Sequence, residues 1–168
     1  MQFKTWLKWF IFLIGLGFGF PSFGATCNIQ SGSLPFSTYN VLQPMSQTVI
    51  STVDLTCTNP TTTESTNGVI VQVGLSSGQG TIANRYLSNG LDKLYYNIYE
   101  DAAYQVVLGL GSGNGALITT CLDAPACGNS TTNTTGSTLP INLYGAMPPN
   151  QDIPPGSYSD NLLLQITF

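Results

Sequence analysis

Residues 47–57 read Gln47-Thr48-Val49-Ile50-Ser51-Thr52-Val53-Asp54-Leu55-Thr56-Cys57. Val49, Ser51, Val53, Leu55 and Cys57 occupy alternate positions, with Thr52, Asp54 and Thr56 between them. Successive side chains of an extended chain point to opposite faces, so this spacing predicts a strand with one face in a core and the other in water. The same period returns along the chain. Gly68 to Leu75 (GVIVQVGL) is a short β-branched run, and Leu94, Tyr96 and Ile98 alternate with Tyr95, Asn97 and Tyr99. Tyr158, Leu162, Leu164, Ile166 and Phe168 share one parity, which predicts a C-terminal strand from Tyr158 to Phe168. Turn signals fall between these runs, at Asn59-Pro60, Asn67-Gly68, Ser77-Gly78, Asn89-Gly90, Gly111-Ser112-Gly113 and Pro154-Pro155-Gly156. No window of a dozen residues carries a helical stripe. The expectation is one all-β domain, a sandwich or a barrel, without internal repeat or linker.

The first segment is expected to lie outside that domain. Lys4 and Lys8 precede an apolar run from Trp9 to Phe20, and Pro21-Ser22-Phe23-Gly24 places small residues at Ser22 and Gly24. This is the layout of a secretory signal peptide over residues 1–24, cleaved before Ala25. The alternative, an N-terminal anchor, would need an apolar span of roughly 20 residues. Residues 25–168 then form the mature domain.

Composition narrows the function. The chain has 168 residues, 7% of them charged, with 18 Gly, 10 Pro, 4 Cys and no His. Loss of the signal lysines leaves Arg85 and Lys93 against eight acidic residues, a net charge of −6. Two cations cannot form the basic cluster that nucleic acid or anionic lipid requires. The absence of His removes most acid–base, triad and zinc chemistry.

Export permits disulfides, and Cys27, Cys57, Cys121 and Cys127 are even in number. Three connectivities exist. Cys57 ends the apolar face of residues 47–57 and Cys27 begins the first strand, which favours Cys27–Cys57 with Cys121–Cys127. On the chain-entropy model a loop of about 31 residues contributes about 3.7 kcal/mol and the short 121–127 loop about 2.4. A metal site at Cys121 and Cys127 fits less well, because their spacing exceeds that of zinc knuckles.

The candidates for chemistry are weak. Gly109 to Gly115 is glycine-rich but lacks a phosphate-loop pattern and reads as a hairpin connection. Glu100 and Asp101 are adjacent on a strand and point apart, so with Asp92 they read as solvated strand-end charges and not as a glycosidase pair. No Gly-x-Ser-x-Gly elbow occurs. Tyr95, Tyr96, Tyr99, Tyr144 and Tyr158 could form a sugar platform, although strand tyrosines ordinarily pack. Phe168 at the end of an alternating run admits an outer-membrane barrel, but several segments are too short or too rich in Thr and Asn for lipid-facing strands. No catalytic residue, cofactor or metal ligand is expected.

Two blocks carry a resemblance. Leu94-Tyr95-Tyr96-Asn97-Ile98-Tyr99-Glu100-Asp101 resembles the L-x-Y-x-[LI]-Y-x-D stretch of spore coat protein U domains. Tyr144-Gly145-Ala146-Met147-Pro148, Gln151 and Gly156-Ser157-Tyr158-Ser159-Asp160 are similar to that family's Y-G-x-[IM]-P … Q … G-x-Y-x-D signature. Cys27 with Phe36 and Tyr39, and Cys57 after an alternating strand, agree. The family includes subunits of archaic (Csu-type) chaperone–usher pili. The resemblance implies an incomplete immunoglobulin-like β-sandwich, completed by a strand donated first by a periplasmic chaperone and then by a neighbouring pilus subunit. It also implies passage through an outer-membrane usher to the cell surface. The strand from Tyr158 to Phe168 would border the acceptor groove, with Leu162, Leu164, Ile166 and Phe168 lining it or the core.

The sequence departs from the family pattern twice. Leu108 stands where Trp is frequent, and only Ala25 and Thr26 precede Cys27 after cleavage. A donor extension needs roughly ten residues at about 3.3 Å each. The expectation is therefore a subunit that accepts a strand without donating one, a tip or minor subunit in attachment or biofilm formation. The alternatives are a self-assembling spore-coat or matrix protein and a stand-alone carbohydrate-binding module. The loops Thr58 to Thr66 and Gly109 to Gly115 are candidate receptor contacts on exposure alone; a second Thr/Asn-rich stretch runs from Asn129 to Ser137.

Overall fold

The computed structural model describes residues 24–30, 32–58, 68–122 and 137–168. Residues 1–23 of the expected signal, nearly all of the Thr58 to Thr66 loop, Cys127, and Asn129 to Gly136 of the second polar stretch lie outside the described residues. Eight strands follow in order: β1 (Thr26–Ile29), β2 (Gln47–Thr58), β3 (Val69–Leu75), β4 (Arg85–Asn89), β5 (Asp92–Tyr99), β6 (Ile118–Leu122), β7 (Ser137–Met147) and β8 (Leu164–Thr167). Among the described residues there is no helix. The strands form two antiparallel sheets, one of order β1-β2-β7-β5-β4 and one of order β6-β3-β8.

The alternation read from residues 47–57 sets the first sheet. Val53, Leu55 and Cys57 are buried while Thr52 and Asp54 are exposed. A one-residue slip would turn every one of these side chains to the wrong face, so burial fixes the β2–β7 register, with Val53 opposite Ile141 and Val49 opposite Gly145. Val69, Val71 and Val73 of β3 supply the facing wall, with Ile70 and Gln72 outward. Each fully buried Val or Leu contributes about 1.5–3 kcal/mol. Cys27 lies opposite Cys57 in the β1–β2 pair, and the two form a disulfide inside the core. Cys121 is also disulfide-bonded.

Two features depart from the alternating pattern. The C-terminal strand is shorter than its parity predicts, spanning Leu164–Thr167 only. Upstream, Pro154 and Pro155 lack N–H donors, and the Asp160 carboxylate takes the N–H groups of Gln79 and Asn161. The Leu163 N–H is donated to the Ser76 hydroxyl rather than to a strand carbonyl. On β5, Asn97 is buried although its parity places it outward. The reason is Arg85, which is 0% exposed and donates to Asn97 Oδ1 at 2.6 Å.

Arg85 holds the two sheets together with hydrogen bonds. Its guanidinium donates to the carbonyls of Ser76 (2.8 and 3.0 Å) and Leu75 (3.2 Å) at the end of β3. It also donates to the carbonyl of the buried Leu108 at 2.8 Å. The Asn97 amide donates in turn to the carbonyls of Ile82 and Ala83. A planar five-donor group can satisfy several carbonyls that would otherwise be buried without partners. Leu108, the first departure from the family pattern, is thus a core residue whose carbonyl completes this network.

Candidate functional site

β8 is an edge strand. It pairs with β3 on one side, Leu164 opposite Leu75 and Ile166 opposite Val73, and among the described residues no strand is hydrogen-bonded to its other edge. Leu164 and Ile166 pack against the core, whereas Gln165 and Thr167 are exposed. Between the sheets beside this edge runs a cleft of about 1290 Å³. Val53, Leu94, Ile98 and Leu143 line it from the five-stranded sheet, and Leu75 and Leu164 from the other. A strand edge presents N–H and C=O groups that an extended peptide can satisfy, while alternate side chains of that peptide enter an apolar cleft.

Two irregular segments border the cleft, residues 32–41 and 153–162. Leu34, Phe36 and Tyr39 of the first pack against the core, and the Phe36 ring meets Tyr96 edge to face at 5.6 Å. Gly145 on β7 makes room for them, since a Cβ there would come within 2.7 Å of the Phe36 ring and 2.9 Å of Val49. The Tyr39 hydroxyl donates to the Pro148 carbonyl at 2.8 Å and accepts the Gln151 N–H at 3.0 Å. The Gln151 side chain then pairs with both backbone groups of Tyr95, accepting at 2.7 Å and donating at 2.8 Å, as a strand residue would.

The second segment is held by Asp160. Its carboxylate accepts from the Tyr96 hydroxyl at 2.8 Å, and it fills the space beside Gly78, which has φ +57°. Burial, then the hydrogen bond from Tyr96 to Asp160, push the Tyr96 phenol well above its ordinary value. Burial pulls Arg85 down, opposed by Tyr96 and Asp160. Tyr158 packs on the core and donates to the Pro154 carbonyl, and Gly156 lies against Asn89.

The residues singled out in sequence therefore fall in distinct places. Leu162, Leu164 and Tyr158 line the cleft, Ile166 packs against the core, and Phe168 is 56% exposed. Leu94 and Tyr96 are buried on β5. Asp101 is more than a solvated strand-end charge: it accepts the N–H groups of Ala103, Gln105 and Val106, and the Val106 bond above all holds its carboxyl below the ordinary range. Gly109 to Gly115 forms the expected hairpin, with Gly111, Ser112, Gly113 and Gly115 all at positive φ. Arg85 was legible only as a charge, because no local pattern marks a burial that depends on distant carbonyls.

The tyrosines do not form one platform. Tyr96 is buried, and Tyr95 packs edge to face with Tyr86, over which Lys93 sits at 4.5 Å. Tyr99 and Tyr144 are cross-strand partners, and the Tyr104 ring stands edge-on to both at 5.7 and 6.2 Å. Tyr104 has φ +56°, a conformation that costs a non-glycine residue about 1–3 kcal/mol. The Asp101 hydrogen bonds to the same loop offset that strain.

A family model described as the Spore Coat Protein U domain matches residues 20–165. The chain is 29% identical over 158 residues to Protein U of Myxococcus xanthus, covering 86% of this chain and 79% of that protein. Among solved structures it is similar to the CsuC–CsuE chaperone–tip adhesion subunit pre-assembly complex from archaic chaperone–usher Csu pili of Acinetobacter baumannii. That match has a TM-score of 0.53 and 19% identity, and covers 86% of this chain. The chain spans 40% of the length of that structure's matching chain, and the likeness is one of fold.

Proposed function

This chain belongs to the Spore Coat Protein U domain family, and on that premise we propose that it is a non-enzymatic structural subunit of a chaperone–usher pilus, exported through the periplasm to the cell surface. The observation that carries this reading is the unpaired edge of β8 beside the cleft between the sheets, whose floor is Val53, Leu75, Leu94, Ile98, Leu143 and Leu164. A donated strand would pair with that edge and seat alternate apolar side chains between the sheets. A periplasmic chaperone would supply the strand first, and a neighbouring subunit would replace it at the outer-membrane usher. In this reading Leu162, Leu164 and Ile166 contact the donor, and residues 1–24 are the signal peptide of the domain 25–168.

The finer reading is a tip or minor subunit acting in attachment or biofilm formation. Donated residues must precede β1, which begins at Thr26, and Ala25 already packs against the core. Cleavage before Ala25 leaves no extension long enough to cross a neighbour's groove. The solved neighbour is itself described as a tip adhesion subunit complex, which supports the reading.

The test is thermal unfolding and oligomer size of the oxidised mature chain, with and without a periplasmic chaperone from its own organism, together with N-terminal sequencing of the exported protein. A chain that aggregates alone and is rescued by the chaperone supports strand acceptance. A cooperative, stable monomer that ignores the chaperone overturns it. A mature N-terminus well before Ala25 overturns the tip assignment alone. The family's description as a spore coat domain favours a second reading, a self-assembling coat or matrix protein, which predicts homopolymers formed without any chaperone.

A further inference from the structure

A second cleft, of about 280 Å³, shares no lining residue with the first among the described residues. It opens because β5 pairs with β7 only from Asn97↔Ala146 to Tyr99↔Tyr144. Beyond Tyr144 toward Leu139, β7 keeps β2 on one side and among the described residues has no strand on the other. Glu100 at the end of β5, Thr119 and Thr120 of β6, and Asn142 and Tyr144 of β7 surround the resulting notch.

We propose that this notch, with the adjoining rings of Tyr99, Tyr104 and Tyr144, is a binding site for a neutral saccharide. Tyr144 belongs to both the notch and the three-ring cluster. The half-buried Tyr144 ring lines the notch and gives the C–H groups of a pyranose an apolar contact, with Tyr104 and Tyr99 packed behind it. The Glu100 carboxylate has no hydrogen-bond partner among the described residues and can accept sugar hydroxyls. Asn142 uses its Oδ1 to accept from Thr52 at 2.9 Å, which leaves its amide N–H groups to donate. Among the described residues no Lys or Arg lines the notch, and Glu100 repels an anion, so sialylated or uronic sugars are disfavoured. At about 280 Å³ the notch lies near the lower end of small-molecule sites, and a few convergent polar groups beside an aromatic ring suit a small ligand.

The test is saturation-transfer NMR on the folded exported chain, with its chaperone bound if it needs one. The probes are cellohexaose, chitohexaose and mannohexaose, with sialyllactose as the anionic control. At least one neutral hexaose is expected to receive saturation on its ring C–H protons, and sialyllactose none. Tyr144→Ala and Glu100→Gln should each weaken that binding by about tenfold or more, the second without removing any packed apolar group. Failure of all three neutral probes at millimolar concentration overturns the proposal, as does binding that survives both substitutions. A Tyr144→Ala variant that changes oligomer size but not sugar binding makes this face a subunit contact and also overturns it. Loss of the sugar site would leave strand acceptance at β8 standing, and the reverse holds equally.

Discussion

The hydroxyl of Tyr96 donates a 2.8 Å hydrogen bond to the carboxylate of Asp160, 64 positions further along the chain. This contact ties the segment 153–162, which borders the larger cleft, to the middle of β5. Two residues of the family signature thus act as one structural unit. Tyr96→Phe removes the bond while keeping the ring against Phe36. We expect a loss of about 1–3 kcal/mol, read as a lower urea midpoint with an unchanged slope.

The same pair sets the alkaline limit of stability. Burial and the bond to Asp160 keep Tyr96 protonated where an unfolded tyrosine ionises, near pH 10. A group raised in the folded state contributes fully below its unfolded value and loses that contribution as pH rises past it. Unfolding should therefore become easier above about pH 10, and Tyr96→Phe should flatten the decline. At the acid end Asp101, lowered by its N–H partners, loses its contribution as pH falls through the carboxylate range. With no His in the chain, melting temperature should vary little between about pH 5 and 8.

Arg85→Leu is expected to be more damaging than its conservative volume suggests. It would leave the carbonyls of Leu75, Ser76 and Leu108 without the guanidinium donor, while Asn97 Oδ1 would keep only the Ile98 N–H. At about 1–3 kcal/mol for each buried group left unpaired, the total approaches the whole stability of a small domain. Arg85→Lys should rescue it only in part, because an ammonium cannot span the same acceptors. Yield of folded exported chain and its denaturant midpoint measure both.

Gly145→Ala tests the seating of residues 32–41. The added methyl would meet Phe36 and Val49 inside ordinary contact distance, and Leu34 closer still. We expect about 1–3 kcal/mol of destabilisation from overpacking. Protease cleavage within residues 32–46 should increase before the rest of the domain opens.

Reduction of Cys27–Cys57 removes a cross-link between residues 30 apart in sequence. The expected loss is about 3–4 kcal/mol, seen as a lower thermal midpoint in dithiothreitol. A Cys27→Ser, Cys57→Ser double variant should show most of that drop without reductant, the remainder coming from the Cys121 disulfide, which dithiothreitol also reduces.

Period-two alternation was enough to indicate an all-β fold, to orient β2, β3 and most of β5, and to favour Cys27–Cys57 among three connectivities, a bond the structure contains. The reason is that alternation is a local property: each side chain's face follows from its neighbours one and two positions away. The same logic overextended the last strand, because Asp160 and Ser76 compete for backbone donors from elsewhere in the fold. Family resemblance led to the expectation of an acceptor edge at the C-terminal strand; the cleft beside β8 is shaped in part by Leu34 and Phe36, brought to Gly145 from 111 and 109 positions away. The burial of Arg85 and Asn97, and the meeting of Tyr99, Tyr104 and Tyr144, had no local signal. Each depends on partners that only the packing of the two sheets brings within hydrogen-bond or ring contact, so the tertiary structure alone decided them.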